Sequence, residues 1–439
     1  SLTDVQDGSS VPWKTAMWGT HRDKCLLDTI SRKYDSISAF LSNSGLFINQ
    51  GPEFRPLPTK IDSEKSEDFE ARLNKFKDNH EYLPEYVGKY VLDTDQVHAD
   101  YFKLPDDVYK ILGDDDVYLR TRGGRAGLEL FKAPHIIISA SRSFSVYSEV
   151  DFIIPPRQIG IAGDRKHAYL LKALTLYLKS EFVRYEQWLS STAWGIGRDR
   201  PNLDDLKKLP VPLSVLSDKE LVEWAKLHDE LVAAGERERE SHQHRNAPLF
   251  NSRQRSSLPS LDTLLKQMND KVYELLGISN KKQRWLIADM LSVRMKLNDG
   301  NIAKKATDPA TEEEILEFAS IFQEELDLFL DHTGKRKVHE VKVLYTDSSA
   351  VMIVDHLKRS MATEPNVVKV QNARTRLELS KLQEKLTETR SQWFYFTRCL
   401  QIHEDRKAYI FKPRQRLYWL KSQALVEADE FIAEKLVTE

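Results

Sequence analysis

Val117-Tyr118-Leu119-Arg120-Thr121-Arg122-Gly123-Gly124-Arg125 opens the stretch whose reading decides this chain's fold, residues 117–212. It continues through the apolar run Ile136-Ile137-Ile138 to Ser141-Arg142-Ser143, then crosses an amphipathic segment at 168–189. It ends in Ser190-Ser191-Thr192-Ala193-Trp194-Gly195-Ile196-Gly197-Arg198-Asp199-Arg200-Pro201 and the exit Leu209-Pro210-Val211-Pro212. Alternation of Val117, Leu119 and Thr121 against Tyr118, Arg120 and Arg122 predicts a strand with two arginines on one face. Gly123-Gly124 predicts a turn, and Arg125 extends the basic cluster. Residues 135–140 read as a buried strand with Ser141-Arg142-Ser143 at its end, and Phe152-Ile153-Ile154-Pro155-Pro156 as the end of another. In 168–189, Leu171, Leu174, Leu178, Phe182, Tyr185 and Leu189 form one apolar stripe at helical period.

Outward from that stretch, the N-terminal side predicts a helix carrying Leu26, Leu27, Ile30, Tyr34 and Ile37, a strand at 46–51, a charged segment at 62–79 that is either helical or mobile, and a strand at 86–92. The C-terminal side predicts helices at 218–234, 261–276 (with Gly277 as its cap), 281–297 and 311–331. Residues 236–260, charged and Ser/Arg-rich with Pro248 and Pro259, read as a linker. Strands at 338–345 and 350–354, a helix at 375–388, a hairpin pair at 393–402 and 408–411 and a helix at 416–436 complete the chain. The fold class is therefore α+β. A strand-rich recognition domain spans 1–215, a helical connector 216–335 and a small α+β unit 336–439.

The 439 residues exceed one ordinary core. With 41% hydrophobic and 30% charged residues, the composition is that of a globular chain, not a disordered one. The formal charge of −2 hides 65 basic residues beside 67 acidic ones, so a polyanion-binding chain must concentrate its positive charge locally. No apolar run approaches the roughly 20 residues of a membrane span. Two cysteines, Cys25 and Cys399, make no disulfide framework and fit a reducing cytoplasm. The first residue, Ser1, fits a processed chain or a piece of a longer one.

Enzyme signatures mostly fail. His21-Arg22-Asp23 lacks the other parts of a kinase site, and Trp194-Gly195-Ile196-Gly197 precedes Arg-Asp-Arg-Pro instead of a helix. Asp114-Asp115-Asp116 reads as an acidic turn, because consecutive strand residues do not face one ion together. His242 and His244 have no further ligands at metal spacing. Asp331 with Glu340-Val341-Lys342 has the loose spacing of a metal-dependent nuclease, which stands as an alternative. A protein-interaction scaffold docking a partner subunit is a third reading.

The basic residues make a stronger set. Arg120, Arg122, Arg125, Arg142, Arg198 and Arg200 fall at strand ends and turns, where planar guanidinium groups reach a guanine edge or a phosphate. Ser141 lies beside Arg142, and Lys207 and Lys208 suit phosphate contact. Together these nine are the candidate DNA-binding residues. No catalytic, cofactor-binding or metal-ligating residue is assigned.

Several stretches resemble the C-terminal, target-recognising region of restriction-modification N6-adenine DNA methyltransferases (type IIG and type I-like). They are Trp13-Lys14-Thr15-Ala16-Met17-Trp18-Gly19-Thr20-His21-Arg22-Asp23, the unit at 131–200, the exit at 206–212, and Asn269-Asp270-Lys271-Val272-Tyr273-Glu274-Leu275-Leu276-Gly277. Gln392-Trp393-Phe394-Tyr395-Phe396-Thr397-Arg398 and Lys412-Pro413-Arg414-Gln415-Arg416-Leu417-Tyr418-Trp419 resemble that family's terminal unit. The family's Asn/Asp-Pro-Pro-Tyr/Phe motif and Gly-rich S-adenosylmethionine site are missing; Ile154-Pro155-Pro156-Arg157 has neither the amide nor the aromatic. The resemblance thus implies a cytoplasmic, prokaryotic, DNA-reading portion of a restriction-modification or phage-defence system. Double-stranded DNA is its expected partner, and S-adenosylmethionine belongs to a catalytic methyltransferase domain in cis or in trans.

Overall fold

The computed structural model describes residues 11–97, 102–123, 125–192, 194–196, 201–244, 258–300, 302–332, 337–358, 363–370, 400–404 and 407–438. Arg198 and Arg200 lie outside these residues, as do the helix expected at 375–388 and residues 393–399 of the expected hairpin, whose remaining residues pair antiparallel. The architecture is mixed α+β. It divides into two compact units, one of 1–14 with 25–279 and one of 15–24 with 280–439. This division falls inside the stretch expected as a helical connector, because the helix at 261–276 packs against helices of the first unit. Helices α1 (Val11–Trp18) and α2 (His21–Lys33) contribute residues to both units.

The first unit adds helices α3 (Ile37–Asn43) and α4 (Ser66–Asn79) and is built around an antiparallel sheet. The sheet's order is β1 (Phe47–Gln50), β9 (Ile159–Ala162), β7 (His135–Ile138), β8 (Ser145–Ser148). Every residue of β7, β8 and β9 is buried, which is why the isoleucine run reads as continuous and not alternating. Strand β9 escapes sequence reading because Gly160 and Gly163 break its apolar pattern. Two smaller sheets flank this one: β2 (Phe54–Arg55), β6 (Tyr118–Arg120) and β3 (His80–Tyr82), and the pair β4 (Tyr90–Leu92) with β5 (Tyr109–Ile111).

Several local expectations change, and the helix expected to carry Leu26 through Ile37 is two, α2 and α3. The arginine-bearing strand stops at Arg120, and Thr121–Gly123 turns in a 3-10 helix, so Arg120 and Arg122 do not share a strand face. Phe152-Ile153-Ile154 is buried but is no ladder strand; Ile153 makes only an isolated bridge to Val91. Pro155-Pro156 follows and cannot donate to a ladder.

The stripe at 168–189 is two helices, α5 (Ala168–Lys179) and α6 (Glu181–Ser190). Ser180, extended at φ −70° and ψ 157°, ends the first and caps the second, its hydroxyl accepting from Val183 N. After α7 (Leu203–Lys207) comes α8 (Asp218–His244), ten residues longer than the expected 218–234. Its extra length is Glu/Arg-rich, and these are strong helix formers that pair at three- and four-residue spacing. Helix α9 (Leu261–Leu276) matches its sequence reading at both ends, with Ser260 as N-cap and Gly277 left-handed at φ 76°.

In the second unit, α10 (Lys281–Ser292) precedes the short α11 (Lys304–Thr307) and the long α12 (Glu312–His332). A five-stranded sheet follows in the order β12 (Asn366–Lys369), β10 (Lys337–Tyr345), β11 (Ser349–Lys358), β14 (Lys407–Pro413), β13 (Leu400–Glu404). Helix α12 and the terminal α13 (Lys421–Thr438) pack on one face of it. Val341, Val343, Met352, Val354 and Ile410 on that face meet Phe318, Phe322 and Phe431 from the helices.

Candidate nucleic-acid interface

The β7–β8 connection is built by one hydroxyl. Ser139 Oγ accepts from Ser143 N at 2.7 Å and Phe144 N at 3.3 Å, and Ser139 O accepts from Arg142 N at 3.0 Å. The turn places Arg142 in the left-handed region at φ 59°, an uncommon conformation for a residue with a Cβ. The guanidinium secures it, Nη1 donating to Ser139 O at 3.3 Å and Nη2 to Asn202 O at 2.9 Å. Burial pulls the Arg142 pKa down to about 10 against the attraction of Asp205, which leaves it charged at neutral pH. Ser141 sits exposed on the same turn, its hydroxyl donating to Ser143 Oγ.

Asn202 is where turn and loop meet. Its Oδ1 accepts from Asp205 N at 2.7 Å, and Asp205 Oδ2 accepts from Asn202 N at 3.1 Å, a reciprocal cap on α7. The buried Asp205 also accepts from Ser191 Oγ at 2.8 Å and from Thr192 N and Oγ1, both at 3.3 Å. One carboxylate therefore ties the start of the Ser/Gly/Arg loop to its end, and Arg142 ties that end to the β7–β8 turn. Asp205 is absent from the candidate residues; the Asn-x-x-Asp spacing before Leu206 is the signal that marks it.

Inside the loop, Gly195 has φ 76°, and a Cβ there would collide with the Trp188 ring. Its glycine is explained by backbone shape, not by a nucleotide. Beneath lies Lys14, which is fully buried, donates to Trp194 O and sits 4.8 Å from the Trp188 ring centroid. Burial draws its pKa down to about 8, with Asp205 opposing. Glu186, also buried, accepts from Gln187 Nε2 at 2.9 Å, and burial raises its pKa to about 7.

The candidate cations fall into two groups. Lys207 and Lys208 end α7; Lys207 is 3.7 Å from the exposed Asp204, whereas the Lys208 side chain is exposed and has no hydrogen-bond or ion-pair partner among the described residues. Helix α7 is linked at its Asn202 cap to Arg142, which follows Ser141 on the β7–β8 turn. The other group belongs to the β2–β6–β3 sheet. Arg120 Nη1 pairs with Glu53 Oε2 at 2.9 Å, and Arg125 pairs with Glu81, its Nε at 3.1 Å. These guanidinium groups hold the Glu53 and Glu81 carboxyls below the usual range. Arg122 is exposed and without a partner among the described residues. The acidic turn at Asp114–Asp116 adjoins this sheet, since Tyr82 Oη donates to Asp114.

The residues of the nuclease alternative lie in the second unit. Glu340 and Lys342 share the sheet face opposite the Val341–Val343 core, with Asp355 across from Glu340 in register and Asp331 exposed near the end of α12. Among the described residues no three His, Cys, Asp or Glu side chains gather as a metal site, and no helix is long and apolar enough to cross a membrane. The sequence matches no protein-family model and no curated protein.

Proposed function

We propose that this chain is the DNA-reading, target-recognition portion of an N6-adenine DNA methyltransferase of restriction-modification or phage-defence type, non-catalytic by itself. The observation that carries the reading is the Arg142–Asn202 bond, which couples the β7–β8 turn to the closing end of the Ser/Gly/Arg loop. A base-reading loop must be held in register before its side chains discriminate, and phosphate contacts beside it fix the docking. Lys207 and Lys208 are the phosphate contacts of this scheme, Ser141 is a further polar contact on the β7–β8 turn, and Arg198 and Arg200 are the base readers. Arg142 serves by positioning.

Arg120, Arg122 and Arg125 are secondary. Two of them carry carboxylate partners, and the acidic turn opposes a polyanion there. Exposed ion pairs are worth only about 0–1 kcal/mol, so a phosphate can displace such a carboxylate. S-adenosylmethionine and the adenine-flipping chemistry belong, in this reading, to a catalytic domain in cis or in trans.

The test is selection of bound duplexes from a random pool, repeated at two salt concentrations, followed by titration of variants. Lys208→Ala should reduce the salt slope of binding by about one and weaken all sequences alike. Arg198→Ala should cost about 1–3 kcal/mol on the selected site and relax its specificity. Absent or salt-insensitive duplex binding ends the proposal. Methyl transfer from S-adenosylmethionine by this chain alone ends its non-catalytic part.

A further inference from the structure

A cavity of about 350 Å³ opens in the first unit among the β7–β8 turn, the α5–α6 junction and α9. Its wall is chemically two-sided. Arg142, Lys179 and Arg184 supply positive charge, while Phe102, Leu265 and Met268 are among its apolar residues. The carboxylate in the wall, Glu181, is engaged: its Oε2 accepts from Tyr273 Oη at 2.7 Å.

Two of the cations have unused donors. The Arg184 guanidinium is exposed and has no hydrogen-bond or ion-pair partner among the described residues. Arg142 spends its terminal nitrogens on Ser139 and Asn202, but its Nε is buried with no acceptor among the described residues. The third cation, Lys179, lies with Nζ 4.0 Å from the Phe102 ring centroid, at the border between the charged and apolar sides.

Guanidinium forks match the oxygens of a phosphate, and an apolar wall beside them favours a ligand with a ring or hydrocarbon body. The volume is near the lower end of ligand cavities, ~300–1,000 Å³, which suits one nucleotide-sized group. We propose that this cavity binds a small organic phosphate of nucleoside-monophosphate size. Its phosphate is held by Lys179 and Arg184, with the charge of Arg142 behind them, and its ring lies against Leu265 and Met268. The ligand is either a free mononucleotide or an unpaired nucleotide presented by DNA; the recognising chemistry is the same. The site shares Arg142 with the duplex-reading proposal, but its tests use Arg184 and Leu265, which that proposal does not.

Calorimetric titration of the full chain with adenosine monophosphate, thymidine monophosphate and inorganic phosphate tests it. Saturable nucleotide binding, tighter than that of inorganic phosphate, is expected. Arg184→Glu, at an exposed position, should weaken it at least about tenfold. Leu265→Trp, which fills the cavity from α9, should abolish it while far-ultraviolet circular dichroism and the melting temperature show a folded chain. A duplex with one bulged nucleotide that competes with adenosine monophosphate identifies DNA as the source, and absence of competition identifies the free nucleotide. Lack of saturable nucleotide binding overturns the proposal, as does binding indifferent to both substitutions. Inorganic phosphate binding as tightly as the nucleotides overturns the assignment of the apolar wall. Fully paired duplex binding, measured on the same variants, separates failure of this site from failure of the duplex-reading surface.

Discussion

Each unit buries a lysine, and the two are treated differently. In the second unit, Lys412 Nζ donates to both oxygens of Glu427, at 2.8 and 2.9 Å, and lies 3.7 Å from the Phe318 ring centroid and 4.4 Å from that of Trp419. Both partners are buried, so this is an ion pair sealed in an aromatic box. In the first unit, Lys14 has a carbonyl and a ring, and no carboxylate within ion-pair distance among the described residues. Its field comes from Asp205, whose oxygens are committed to Ser191, Thr192 and Asn202. The paired lysine locks a core. The unpaired one leaves stability under a loop dependent on protonation.

Substitutions sharpen that contrast, and the largest effect belongs to the sealed pair. Glu427→Gln strands a buried ammonium and should destabilise the second unit by about 3–5 kcal/mol in chemical denaturation. The double change Lys412→Met with Glu427→Leu should recover most of that loss, since apolar replacements of a buried pair are often neutral or better. A single substitution as mild as the double would mean that the pair is solvated in solution, and the comparison would fail.

Smaller effects are expected from the first unit, as functions of pH. Glu186 holds its proton more tightly when folded, with a pKa raised from 4.5 to about 7. Its contribution is therefore intact below pH 4.5 and lost as pH rises through 7. Glu186→Gln should flatten the stability curve between those values and be the more stable form at neutral pH. Lys14 has the opposite shift, from 10.5 down to about 8, so its charged form penalises the fold below pH 8 and the penalty lifts between 8 and 10.5. Lys14→Met should remove that alkaline rise in stability. A variant with the wild-type profile would show that Lys14 is hydrated and that the two lysines do not differ.

Much of this fold is legible in local pattern. The helix at 261–276 with its Gly277 cap, the helix at 311–331 and the strands at 338–345 and 350–354 are local readings that α9, α12, β10 and β11 match closely. What escaped depends on partners distant in sequence. The stripe at 168–189 is one face on a helical wheel, yet Ser180 breaks it into two helices. Lys412 stands in the basic run Lys412-Pro413-Arg414-Gln415-Arg416 and reads as a surface residue. Only its neighbours Phe318, Trp419 and Glu427 turn it inward.

The candidate site divides in the same manner. Sequence by itself determined the α+β class, most element positions and which segments concentrate arginine and lysine, because period, caps and composition are local properties. Tertiary structure alone decided what those cations do: Arg120 and Arg125 meet Glu53 and Glu81, Arg142 turns inward to Asn202, and Lys208 remains exposed. The physical reason is that a charge's role is set by the acceptors within a few ångströms of it. Residues 60 or more positions apart, such as Arg142 and Asn202, become neighbours only when the chain folds.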